Sequence, residues 1–209
     1  MEALGEKLGP LLFQFGKFDK YSFKSLDDFL ARLVPFLKKL PKEHKFAVEI
    51  RNKDWLVPKL ADVLREHGVA LTLIDQGWMP RPWEMKDKFD LITADFTYVR
   101  WLGDRKGIEE KTTTWDKVII DRQRDLSEWV SLLKKIQERR IMILAFANNH
   151  YAGYGLGRSI CSASSGAWKR RGWFILRSER DSNLHSLIRM SARRGVDSLV
   201  AASGSCIIR

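Results

Sequence analysis

Apolar and polar positions alternate along this chain with two different periods, and the switches between them mark out the elements. Gly9-Pro10 precedes the apolar run Leu11-Leu12-Phe13-Gln14-Phe15, which reads as a buried strand. Ser25-Leu26-Asp27-Asp28 then begins like a capped helix, with the Ser25 hydroxyl placed to accept an orphan amide hydrogen bond. Leu26, Phe29, Leu30, Leu33, Phe36, Leu37 and Leu40 follow at helical spacing and predict one apolar face, bent at Pro35.

The same alternation continues downstream. Phe46-Ala47-Val48-Glu49-Ile50 is a second strand. Asp54 is placed to cap a helix with Leu56, Leu60, Val63 and Leu64 as its buried stripe, ending near His67-Gly68. Val69 to Ile74 is a third strand, closed by Asp75 and followed by a Pro- and Trp-rich loop from Gly77 to Trp83. A short extended piece at Leu91-Ile92-Thr93 precedes a fourth strand, Thr97 to Trp101. A charged excursion runs from Gly103 to Arg124. Leu126, Trp129, Val130, Leu133 and Ile136 then give an amphipathic helix, and Ile141 to Ala147 a fifth strand.

Apolar strands alternating with amphipathic helices imply a parallel sheet with both faces covered. An open doubly wound sheet and part of a (β/α) barrel both satisfy that pattern. The strand ends favour the barrel, because each strand finishes in a polar or charged side chain, and barrels collect such residues at one catalytic mouth. The expectation is therefore an α/β chain forming an incomplete TIM-type (β/α) barrel, with about five parallel strands, covering helices and an atypical tail.

Composition changes the picture at one place. The 209 residues carry a net charge of +11, but Met1 to His150 hold 27 Lys+Arg against 23 Asp+Glu, while Tyr151 to Arg209 hold 10 against 3. That last stretch also has 11 of the 15 serines, both cysteines, and nine arginines to one lysine. A boundary near residue 155 follows, with a barrel domain over 1–155 and an Arg/Ser-rich tail over 156–209, disordered or derived from a shifted reading frame. The charge thus argues only weakly for nucleic acid as a partner. No apolar run is long enough to span a membrane, and the first residues lack a secretory pattern, so the expected location is the cytoplasm.

The candidate chemistry sits at the strand ends: Gln14, Glu49, Arg51, Asp75, Arg100, Asn148, Asn149 and His150. Glu49 and Arg51 share parity and can both enter the mouth. A carboxylate facing guanidinium groups stays ionised, which suits general-base work or the fixing of an arginine for an anionic ligand. Asp75 is a second candidate carboxylate, although Asp after a strand is also an ordinary turn former. Arg100, inside a strand, needs an anionic partner, either a ligand or a carboxylate such as Glu49 or Asp75. Asn148 and Asn149 suit holding hydroxyls, carbonyls or phosphate, and His150 is an acid-base candidate or a structural turn residue. The histidines and acidic residues show no metal-ligand spacing, no serine-hydrolase elbow occurs, and no cofactor can be named.

Four ordered strings, "LGEKLGPLLFQF", "FAVEIRNKDWL", "DFTYVRWLGDR" and "FANNHYAG", resemble the YecE-like family, catalogued as domain of unknown function 72. The resemblance runs from about Leu4 to Gly155 and covers the C-terminal part of the family's domain. It implies a TIM-type barrel with Gln14, Glu49, Arg51, Trp55, Arg100, Asn148 and Asn149 around its mouth, and no particular reaction. Where many members have Arg-x-His-Gly, this chain has Arg100-Trp101-Leu102-Gly103, so a candidate proton-transfer histidine is missing. The leading expectation is a pocket for a small anionic or polyhydroxylated ligand, with a hydrolase or isomerase of a phosphorylated metabolite as the fitting activity. The rivals are a nucleic-acid-binding protein and an inactive fragment.

Overall fold

The computed structural model describes residues 8–153 and two short strands at 174–178 and 188–190. In chain order the first elements are β1 (Leu11–Gln14), α1 (Leu26–Leu37), β2 (Phe46–Glu49), α2 (Pro58–Glu66), β3 (Ala70–Gln76) and α3 (Pro82–Met85). There follow β4 (Phe96–Gly103), α4 (Arg105–Glu109), α5 (Gln123–Glu138) and β5 (Met142–Ala147), then β6 (Phe174–Ser178) and β7 (Ile188–Met190). The sheet order is the chain order. Strands β1 to β5 are parallel throughout, as expected of β-helix-β units, and the sheet does not close on itself. Strand β6 adds parallel to β5, and β7 adds antiparallel to β6.

Local rules account for most element starts. Ser25 caps α1, its hydroxyl accepting the Asp28 N–H at 3.2 Å. Pro35 lies inside that helix, whose Phe29, Leu30, Leu33 and Leu37 are buried. Two expected features differ. Asp54 does not cap α2: it lies in a short 3-10 turn, Lys53–Trp55, and α2 starts at Pro58, whose preset φ and missing N–H suit a first helical position. The stretch Leu91–Thr93 joins no strand, although all three residues are buried. Instead the Thr93 hydroxyl donates to the Val69 carbonyl at 2.6 Å and accepts the Leu71 N–H at 2.7 Å, stitching the loop onto β3.

Register assigns each strand residue to a face. The pairs Leu12↔Ala47, Ala47↔Ala70, Thr72↔Tyr98 and Tyr98↔Leu144 run along one side of the sheet. Ala47, Ala70, Phe96 and Leu144 make a small buried cluster on this inner face. The alternate residues, including Val48, Leu71, Leu73, Val99, Ile143 and Ala145, pack under the helices. One cluster joins β2 and β3 to α1 and α2, and another joins β3, β4 and β5 to α5. At about 25 cal/mol per Å² of apolar surface removed from water, these two layers supply the main drive for folding.

Candidate functional site

Glu49 is the last residue of β2 and has no solvent exposure. Its side chain shares the inner face with Gln14, its register partner on β1. Arg51 turns back on the same carboxylate, Nε donating to Glu49 Oε1 at 2.5 Å, and its other end donates to the Gln76 amide oxygen. Arg100 reaches Glu49 from β4: one terminal nitrogen donates to Glu49 Oε2 at 2.6 Å and to Gln14 Oε1 at 2.8 Å. The C-terminal ends of four neighbouring strands therefore converge on one buried carboxylate.

Charge explains why this arrangement is tolerated. A buried carboxylate is costly unless paired and hydrogen-bonded, and both Glu49 oxygens meet guanidinium donors. Gln76 joins because two-residue alternation along β3 puts it on the same face as Thr72 and Ile74; the register against β4 shifts between Asp75 and Gln76, with Leu102 the extra residue on β4. Gln76 was legible in the sequence only as the residue after a strand-closing Asp, so nothing singled it out.

Asp75 takes the opposite face. It is buried under the helix layer, where one oxygen accepts the Trp129 indole N–H at 2.8 Å and the Tyr151 hydroxyl at 3.0 Å, and Arg81 pairs with the other. This cluster ties β3, α5, the loop before α3 and the turn after β5 together, and it does not meet Glu49. Trp55 likewise lies in the helix layer, stacked on Phe29 at 5.0 Å and beside Phe18 and Phe23.

The turn after β5 holds the remaining candidates. Asn148 caps the 3-10 turn Asn149–Tyr151: its backbone N–H donates to the Trp101 carbonyl at 2.8 Å, and its amide oxygen accepts the His150 N–H at 3.0 Å. That backbone bond identifies the oxygen, so His150 Nδ1, 2.5 Å from it, is a donor. Nε2 faces Glu109 of α4 at 3.1 Å. The bond from His150, with a further one from Arg105, holds the Glu109 carboxyl below its ordinary range. The Asn149 carbonyl accepts the Gly153 N–H at 2.7 Å. Gly103, at φ +72°, lets β4 end against this turn, since a Cβ there would lie 2.3 Å from the His150 carbonyl oxygen. Among the described residues no group of three or more His, Cys, Asp or Glu is arranged to hold a metal ion, and no helix is long and apolar enough to cross a membrane.

Comparison with known proteins places this chain in a family. The family described as "Protein of unknown function DUF72" matches residues 1–159. A solved structure of a DUF72 family protein from Thermotoga maritima superposes with a TM-score of 0.53 at 21% identity, covering 73% of this chain and 55% of that one. The chain thus spans about half the length of that relative. No curated protein matches.

Proposed function

We propose that this chain, which belongs to the DUF72 family of proteins of unknown function, binds a small anionic ligand at the C-terminal ends of β1 to β4. The observation that carries the reading is the fully buried Glu49 held between two guanidiniums, Arg51 and Arg100, at the strand ends. In sheets of parallel strands, ligands are bound at this end, where loops and not packed helices surround the side chains. Gln14 and Gln76 add neutral amides that suit hydroxyl groups beside the anion.

Glu49 serves first as an orienting carboxylate, because both its oxygens are already occupied. An incoming phosphate or carboxylate competes for the same guanidinium donors. Drawing Arg51 or Arg100 toward the ligand frees a Glu49 oxygen, which then becomes available as a base. Hydrolysis or isomerisation of a phosphorylated metabolite is the chemistry consistent with that exchange. Asp75, on the other face, takes no part in it.

The test is calorimetric titration of the full chain with inorganic phosphate and with small sugar phosphates, repeated on Arg51→Gln and Arg100→Gln. Saturable binding to the parent that weakens at least tenfold in either variant supports the reading. Equal binding by parent and variants, or none by the parent, overturns it.

A further inference from the structure

The loop between β3 and α3 contains a feature that the anion site does not use. Of the six tryptophans among the described residues, Trp78 alone is exposed, at 57%. Trp55, Trp101 and Trp129 are buried, and Trp83 and Trp115 are partly buried. An indole left in water at the tip of a loop forfeits one of the largest apolar burials a side chain can offer.

The loop is not slack. The Met79 N–H donates to the Gln76 carbonyl at 3.0 Å, closing a four-residue turn with Gly77 and Trp78 at its centre. One end of the turn is held by Gln76, whose side chain accepts from Arg51. The other is held by buried Met79, by Pro80 and Pro82, and by Arg81, which pairs with Asp75. Gly77 packs beside Asp104 at the start of α4, where an added Cβ would lie 3.8 Å from the Asp104 Cβ. Both ends of a rigid turn are therefore anchored, and its exposed tip carries an aromatic plane.

Proximity links this tip to the anion site. Trp78 is two residues from Gln76, a chain span of at most about 7 Å, and Gln76 is in direct contact with Arg51. We infer that Trp78 is a stacking platform for the ring of a ligand whose anionic group is held by Arg51 and Arg100, so that the ligand class is a phosphorylated ring compound. The inference rests on the anion-site reading and adds a specificity element to it. A flat π surface accepts either a nucleobase or the C–H face of a sugar, and an anchored turn loses little backbone freedom on binding.

Titration of the full chain with four probes separates the two ideas: inorganic phosphate, glycerol phosphate, glucose 6-phosphate and adenosine monophosphate. Trp78→Ala removes an exposed side chain and leaves the anchored residues in place. The expected result is that one or both ring-bearing phosphates bind about tenfold or more tighter than the ringless ones, and that Trp78→Ala abolishes this difference without changing inorganic phosphate affinity. Preference for adenosine monophosphate identifies a base as the stacked ring, and preference for glucose 6-phosphate a sugar. If all four probes bind equally, or Trp78→Ala leaves the preference intact, the platform is refuted while the anion site stands. If none binds, both fall.

Discussion

Arg100 and Glu49 are 51 positions apart in the chain and meet at 2.6 Å, with the whole of β3 between their strands. The guanidinium crosses from β4 over the inner face of β3 to reach β2, and the same nitrogen touches Gln14 on β1. One side chain thereby couples β4 to the ends of β1 and β2, two strands that share no direct ladder with it.

Because Glu49 is fully buried, removing one of its partners exposes an unmatched part of its charge to an apolar site. Arg100→Met is expected to lower stability by about 1–3 kcal/mol, with Arg51 still neutralising part of the carboxylate. Glu49→Gln combined with Arg100→Met is expected to be less destabilising than the sum of the two changes. Urea denaturation of the two single variants and the double variant measures the coupling; strict additivity would sink the account.

The backbone at Gly103 makes a sharper test of the corner between β4 and the Asn148–Tyr151 turn. Its φ of +72° and the 2.3 Å approach of the His150 carbonyl leave no room for a methyl group. Gly103→Ala should cost at least about 1–3 kcal/mol, read as a drop in Tm. A variant as stable as the parent would mean that the corner is built differently.

Asp75 holds Trp129 and Tyr151 under the helix layer. Asp75→Ala leaves the indole N–H and the hydroxyl without their acceptor and Arg81 without its partner, and a loss of about 2–4 kcal/mol is expected. Phosphate affinity, corrected for the folded fraction, is expected to remain. Selective loss of affinity in a folded Asp75→Ala protein would show that Asp75 belongs to the site after all.

Acid dependence follows from Asp90, whose carboxyl receives two hydrogen bonds of 2.8 Å from Arg139 beyond α5. The Arg139 hydrogen bonds lead the causes that hold its pKa below the ordinary carboxylate value. A depressed folded pKa means that the stabilisation is fully present above the unfolded value, near pH 4, and disappears as pH falls through the folded one. Both side chains are about half exposed, so the contribution is about 0.2–1 kcal/mol. Asp90→Asn should therefore be slightly less stable than the parent at pH 7, with the gap narrowing as pH falls below about 4, compared by urea midpoints; a gap unchanged at low pH would contradict the pairing.

Hydrophobic period is a local property, and by itself it marked β1 to β5, α1, α2 and α5 in order and their parallel arrangement, while a single hydroxyl marked the Ser25 cap; the short α3 and α4 fall in stretches that read as a loop and a charged excursion. Composition changes near residue 155, where serines and arginines become frequent. The sequence also marked Gln14, Glu49, Arg51 and Arg100 as strand-end polar residues, but not their shared contacts. Those depend on register, which is a relation between strands. Asp75 and Gln76 are adjacent in the chain and equally polar, yet the two-residue alternation of β3 sends one under the helices and the other to Arg51. Asp54 likewise reads as a cap until Pro58 starts the helix four residues later, while Trp55 finds a better burial against Phe18 and Phe29. Tertiary packing alone decided these faces, because a side chain one residue along a strand points to the other side of the sheet.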